Sequence, residues 1–373
     1  MLNCARCRQA YGDAEPLWRC TCGGTLEYTP EQPAAFPKAA IAARHGTLWR
    51  YAEALPPAAM AHAVSLGEGM TPLLAAPWGG ATVHFKLEGC MPSGSFKDRG
   101  ATLLVSMLRA MGVAECVEDS SGNAGAALAA YAAAAGIRCR IFTPASASPG
   151  KRAQIGMYGA ELVPVPGPRA ETTRAVLQAA EATFYASHNW VPFYTEGTKT
   201  LAFEICEQLG WRVPDNLILP CGYGSLVLGA YRGFSELRAA GVIERLPRLI
   251  AVQAASVPAL ATAFAAGLDD VPGVTPQATM AEGIACARPV RGRALLEAVR
   301  AMTGEVLTAT EEEIAAAWRA LARQGLYVEP TAAAAPAAAL HLLRDGRLQG
   351  ETVIVLSGSG LKATDRAVSA LGL

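Results

Sequence analysis

The stretch Ser93-Gly94-Ser95-Phe96-Lys97-Asp98-Arg99-Gly100 decides how the chain is read. Ser95 and Asp98 stand at the S-x-x-D spacing of a capping box, which predicts a helix beginning at Phe96. Lys97 then lies in the first helical turn, against the positive end of the helix dipole. A cation is disfavoured there, so the amine becomes the better nucleophile. A lysine that condenses with carbonyl compounds wants that setting. The plain alternative is an exposed lysine at a helix start, and the bare Gly/Ser loop before it argues against that.

Working outward, short apolar runs alternate with Ala/Leu-rich helical patterns. Strands are expected at 82–87, 137–143, 161–165, 216–220, 248–252 and 352–356. Helices are expected near 97–111, 123–135, 170–183, 198–209, 225–239 and 311–324. Such alternation predicts an α/β fold with mainly parallel sheets, because parallel strands need crossover helices. Ligands in these sheets bind where strands end and helices begin.

Three further joints of this kind carry unusual residues. Ser120-Ser121-Gly122-Asn123-Ala124-Gly125 precedes an alanine-rich helix and exposes backbone N–H groups suited to an anion such as a carboxylate. The Asn123 amide can also bond a phenolic oxygen. Cys221-Gly222-Tyr223-Gly224-Ser225 follows an apolar run and opens another helix, which makes a phosphate cradle. It lacks the lysine of a P-loop and the full dinucleotide fingerprint, so one phosphate monoester fits better than a nucleotide. Ser357-Gly358-Ser359-Gly360-Leu361-Lys362 follows Val353-Ile354-Val355-Leu356, which puts the Ser357 hydroxyl at the carboxyl end of a buried strand.

The composition sets bounds. Of 373 residues, 51% are hydrophobic and 17% charged, which allows a large interior of more than one folding unit. Lys plus Arg and Asp plus Glu both number 32, so nothing marks a nucleic-acid binder. The most apolar stretches, 124–137 and 332–343, are mostly alanine and too short to span a membrane. Met1 to Cys7 has no apolar signal core, so a cytoplasmic location is expected. Six of the ten cysteines are scattered singly and read as reduced, buried side chains. Cys4, Cys7, Cys20 and Cys22 crowd the first thirty residues, and a Pro/Ala-rich linker follows.

From about residue 67 to residue 362 the sequence resembles the fold-type II, tryptophan synthase β-like pyridoxal-phosphate enzymes, and most of all the threonine synthases. The resemblance rests on Glu68-Gly69-Met70-Thr71-Pro72-Leu73, Lys86-Leu87-Glu88, the Ser93 to Gly100 run and Ser121-Gly122-Asn123. Glu196-Gly197-Thr198-Lys199-Thr200 and Gly358-Ser359-Gly360-Leu361-Lys362 complete it. The Ser-Phe-Lys-Asp-Arg-Gly run is highly specific, whereas the glycine loops are specific only in combination and in this order.

The resemblance implies two open α/β domains, 96–194 smaller and 31–95 with 195–373 larger, behind a ribbon-like element at 1–30. It implies that Lys97 carries pyridoxal phosphate and then moves protons. Asn123 would meet the cofactor's 3′-oxygen, Gly222, Tyr223, Gly224 and Ser225 its phosphate, and Ser357 its ring nitrogen. Ser121, Gly122 and Asn123, with Ser95, would hold the substrate carboxylate. Cys4-x-x-Cys7 and Cys20-x-Cys22 look like a ribbon whose four thiolates can close a zinc site, with a metal-free vestige as the alternative. The partner expected is a small amino acid, neither nucleic acid nor membrane, and the resemblance allows a homodimer.

The departures concern the substrate. Tyr194 stands where the threonine synthase pattern has an arginine, Ser357 and Ser359 stand for its threonine and histidine, and Ala363-Thr364 stands for its Asp-Pro. Gly222 to Ser225, Ala281 to Ile284 and Val328 to Thr331 lean towards the serine/threonine dehydratases. Lys151, Arg152, Lys199 and Arg288 are the cations left for a substrate phosphate. Overall similarity and the N-terminal cysteines nevertheless imply a lyase acting by β- or γ-elimination or replacement, with O-phosphohomoserine converted to threonine and phosphate as the expectation. A hydroxy-amino-acid ammonia-lyase is the nearest rival, and a non-catalytic binding module on the same fold is a third reading.

Overall fold

The computed structural model describes residues 1–120, 122–145, 149–167 and 169–371. Among them thirteen strands run in chain order: β1 (Leu2–Cys4), β2 (Ala10–Tyr11), β3 (Leu26–Tyr28), β4 (Leu73–Trp78), β5 (Ala81–Leu87), β6 (Glu115–Glu118), β7 (Arg138–Pro144), β8 (Glu161–Val165), β9 (Phe184–Tyr185), β10 (Asn216–Pro220), β11 (Arg248–Ala254), β12 (Glu305–Ala309) and β13 (Thr352–Leu356). Strands expected at all six positions are present, and the α/β class holds. β4 was not foreseen because Pro77 interrupts its pattern; as the antiparallel edge of its sheet it tolerates the missing N–H.

The chain divides into two compact units, Met1–Gly69 with Lys97–Thr198 and Met70–Phe96 with Lys199–Leu373. Residues 31–69, grouped with the larger domain in the sequence reading, cluster with the smaller one.

The first unit contains the antiparallel ribbon β2-β1-β3 and a parallel sheet ordered β8-β7-β6-β9. Its helix Asn123–Ala135 is buried from Ala124 to Tyr131 and on to Ala132 on all sides, as a helix apolar all round must be, and ends at Gly136 in the left-handed region. Helix Lys97–Ala110 packs between that helix and Pro192–Thr198. Fully buried Glu68 ties these parts together. It accepts hydrogen bonds from Trp49 Nε1 at 2.7 Å, the Leu66 N–H at 2.8 Å, Thr102 Oγ1 at 2.9 Å and the Tyr131 hydroxyl at 2.9 Å.

The second unit is built on the sheet β12-β11-β10-β13-β5-β4. All pairs are parallel except β4 with β5. Central β10 and β13 are buried throughout, the continuous apolar reading of a strand covered on both faces. The alanine-rich stretch 332–343 lies in a helix, Pro330–Arg344, whose buried small residues pack on this sheet. Lys86 and Glu204, both fully buried, pair at 2.9 Å, and Lys86 also donates to Thr71 O and Gln208 Oε1.

Removing the Glu68 carboxylate takes the acceptor from the buried Tyr131 hydroxyl and from the partly buried Trp49 and Leu66 N–H groups. Glu68→Ala is expected to lower unfolding stability by about 3 kcal/mol in denaturant titration, whereas a loss under about 1 kcal/mol would contradict this role.

Candidate active site

In the second unit the two central strands end in the two glycine loops that the sequence singled out. The loop after β13 is clamped from both sides. The Phe96 N–H donates to Ser357 O at 3.0 Å, Ser359 N–H to Gly94 O at 2.9 Å, Glu329 N–H to Gly358 O at 3.1 Å, and Gly360 N–H to Tyr327 O at 3.0 Å. A Cβ on Gly358 would lie 2.4 Å from Glu329 Oε1, so no larger residue threads there without a shift. Clamped in this way, Ser357 is 1% exposed and its hydroxyl has no hydrogen-bond partner. Ser95 is likewise fully buried, and its Oγ is also without a partner. Ser95 is therefore no helix cap, and the helix begins at Lys97 rather than Phe96. The bridge between Ser95 and Gly358 holds the backbone extended at that point.

After β10, Gly224 adopts φ +91°, and a side chain there would also strike Leu295. A Cβ on Gly222 would meet Gly283 O at 2.8 Å. Helix Ser225–Ala239 then starts with no side-chain cap, the kind of helix start that favours an anion. Gly283, on the far side of Gly222, is fixed by its N–H bond to Thr331 Oγ1 at 3.0 Å. A glycine cradle at an uncapped helix and an unsatisfied buried hydroxyl at the neighbouring strand end suit a phosphorylated heterocycle.

In the first unit, half-buried Lys97 opens its helix and half-buried Asn123 opens Asn123–Ala135 behind Gly122. Ser121 lies outside the described residues. The preceding Asp119 accepts from the Tyr185 hydroxyl at 2.5 Å, Thr173 Oγ1 at 2.9 Å and Arg169 at 3.0 Å, so the foot of this loop is fixed. Beside it, at the carboxyl ends of β6 and β9, Glu118 Oε1 and His188 Nδ1 are 2.6 Å apart and both buried. Burial, reinforced by Asp119, holds the Glu118 carboxyl well above its usual range. Burial, reinforced by Lys97 and Arg169, holds His188 well below its own. Both shifts favour the uncharged forms of the two groups. Burial, with Glu118 and Asp98 nearby, pushes the Tyr194 phenol up, so it stays a donor.

The four N-terminal cysteines also come together, their sulfurs all within 4.8 Å of one another, with Cys4–Cys22 and Cys7–Cys20 both at 3.5 Å. The Tyr11 hydroxyl, foremost, pushes the Cys20 thiol down to about 6. Five of the six scattered cysteines are buried, and Cys90 is exposed. Lys199, a sequence candidate for a substrate phosphate, is 2% exposed and bound to Glu236 at 2.9 Å, so it is not such a cation.

Residues 64–359 match the profile of the family described as pyridoxal-phosphate dependent enzymes. The chain belongs to this family. It is 35% identical to the threonine synthase of Methanocaldococcus jannaschii over 99% of this chain and 94% of the relative. It is 37% identical to that of Mycobacterium leprae over 87% and 90% respectively. The structure of the processed form of threonine deaminase isoform 2 from Solanum lycopersicum superposes with a TM-score of 0.72 over 91% of each chain at 19% identity, a likeness of fold. With threonine synthases as relatives over most of its length, the chain is a pyridoxal-phosphate-dependent lyase acting on an amino acid.

Glu118 and His188 are missed in sequence, and Glu68 is quoted there without a role. An acidic pair, Glu118-Asp119, directly before a Gly loop is a readable signal; a histidine 70 positions later is not. Above the ordinary carboxyl value of 4.5 an unfolded chain releases the Glu118 proton while the folded one retains it, so wild-type stability declines as pH rises towards the folded value. Glu118→Gln keeps a donor to His188 and cannot ionise. Its stability relative to wild type should rise by about 1 kcal/mol or more between about pH 5 and about pH 8. Parallel denaturation curves at the two pH values would contradict the assignment.

Proposed function

We propose that this enzyme is a threonine synthase, converting O-phosphohomoserine and water to threonine and phosphate. The observation that carries the site is the buried, unpartnered Ser357 hydroxyl, in a loop hydrogen-bonded to the residue immediately before Lys97. Threonine synthases matched over nine-tenths or more of their length support the substrate.

In this reading Lys97 holds pyridoxal phosphate, Gly222 to Ser225 bind its phosphate, Asn123 meets its 3′-oxygen and Ser357 faces its ring nitrogen. The bound cofactor supplies an electron sink for charge developing on the substrate carbons. A serine hydroxyl at the ring nitrogen, unlike a carboxylate, does not keep that nitrogen protonated, and this favours elimination and replacement over transamination. Lys97 takes and returns protons at the substrate carbons. The uncapped loop of Gly122 and Asn123, with Ser121 and Ser95, orients the substrate carboxylate.

A second reading, an ammonia-lyase acting on serine or threonine, is favoured by one observation. The Tyr194 hydroxyl, at the position of the threonine synthase arginine, is spent on the Lys97 carbonyl, so no cation stands there. Assays with O-phosphohomoserine, threonine and serine separate the two. Phosphate and threonine from the phosphoester are expected; keto acid and ammonia from the hydroxy amino acids, with no phosphate released, would establish the rival.

We further propose that Cys4, Cys7, Cys20 and Cys22 bind zinc. A zinc ion about 2.3 Å from four sulfurs spaces them about 3.8 Å apart, and all four here lie within 4.8 Å. Elemental analysis of protein prepared without chelator is expected to find about one zinc per chain. Metal-free protein with all four thiols open to alkylation would overturn the assignment.

A further inference from the structure

The helices Lys97–Ala110 and Pro192–Thr198 meet through two glycines. A Cβ on Gly197 would lie 1.8 Å from Arg99 O, and one on Gly100 would lie 2.3 Å from two carbons of the Tyr194 ring. The first turn of the lysine-bearing helix is thus shaped to receive that ring. Tyr194 is 1% exposed, and its hydroxyl donates to the carbonyl oxygen of Lys97 at 2.9 Å. The Lys97 Nζ lies 5.9 Å from the ring centroid. The ring of His188 stands edge-on to that of Tyr194 at 5.8 Å, and His188 is itself held by Glu118. One aromatic ring therefore bonds the lysine backbone through its hydroxyl, has the lysine amine 5.9 Å from its centroid, and meets the buried His188 ring edge-on.

We propose that Tyr194 is a positioning residue that aims the Lys97 side chain. A hydrogen bond to the first carbonyl of a helix, combined with a ring seated on a glycine one turn into it, fixes the direction in which the first side chain leaves. An arginine at 194 would bring a cation to this place but no ring to seat on Gly100. The site has a pin for its lysine where the family pattern has a cation. This inference rests on Lys97 being the cofactor lysine.

Two holoenzyme variants test it. Tyr194→Phe keeps the ring and removes the hydroxyl, while Gly100→Ala keeps the hydroxyl and displaces the ring. Both are expected to fold and to lower kcat about tenfold or more with KM within about threefold of wild type, because positioning acts on the reacting geometry rather than on substrate binding. Hydroxylamine should also strip the cofactor's visible band several-fold faster from both, a readout that loss of general stability alone would not move in a folded protein. Unchanged kcat and release rate in Tyr194→Phe would overturn the proposal. So would a rise in KM at constant kcat, which marks a substrate contact, or failure of both variants to fold, which marks a purely structural residue. Absence of a visible band from wild-type protein loaded with pyridoxal phosphate would instead sink the cofactor reading, and this inference with it.

Discussion

The hydrogen bond from the Phe96 N–H to the Ser357 carbonyl is the contact on which the site depends. It joins the loop after β13 to Phe96, the residue that precedes Lys97 in the chain. Three more backbone bonds to Gly358, Ser359 and Gly360 leave that loop no freedom to relax. The result is a serine hydroxyl that the fold buries and does not satisfy, an arrangement that costs stability unless a ligand meets it. Small residues are needed on every side, which explains why the motif reads Ser-Gly-Ser-Gly rather than any tight turn.

Much of this was legible in sequence because the relevant signals are local. Apolar runs stopped by glycines mark strand ends, and β10 and β13 were readable to the residue. The edge strand β4 was not, because Pro77 hides an alternation that needs no inward N–H. Nor was the helix Pro330–Arg344, whose alanines are silent as to face and whose Pro336 reads as a breaker. Ser95 looked like a cap by spacing, and the structure keeps its hydroxyl unbonded instead. A capping pattern is a statement about nearby backbone, and here the backbone of Ser95 is taken up by a bridge to Gly358.

The long-range contacts of the small unit were the least legible. Glu68 collects donors from Trp49, Leu66, Thr102 and Tyr131, and Glu118 meets His188 across two strand ends; no spacing rule connects such positions. Tyr194 appeared in sequence only as a missing arginine. In the structure it has contacts of its own, with Gly100, Lys97 and His188, and these belong to the lysine rather than to a phosphate. The small unit thus brings a carboxyl, an imidazole and a phenol together near the start of the lysine helix, with the Arg169–Asp119 ion pair beside them.

The bond between Lys97 and the cofactor can be trapped. Borohydride reduction of the yellow holoenzyme, followed by proteolysis and mass spectrometry of the peptides, should find the phosphopyridoxyl group on Lys97 alone. Label on Lys86, Lys199, Lys362 or any other lysine, or no label at all, would contradict the central claim.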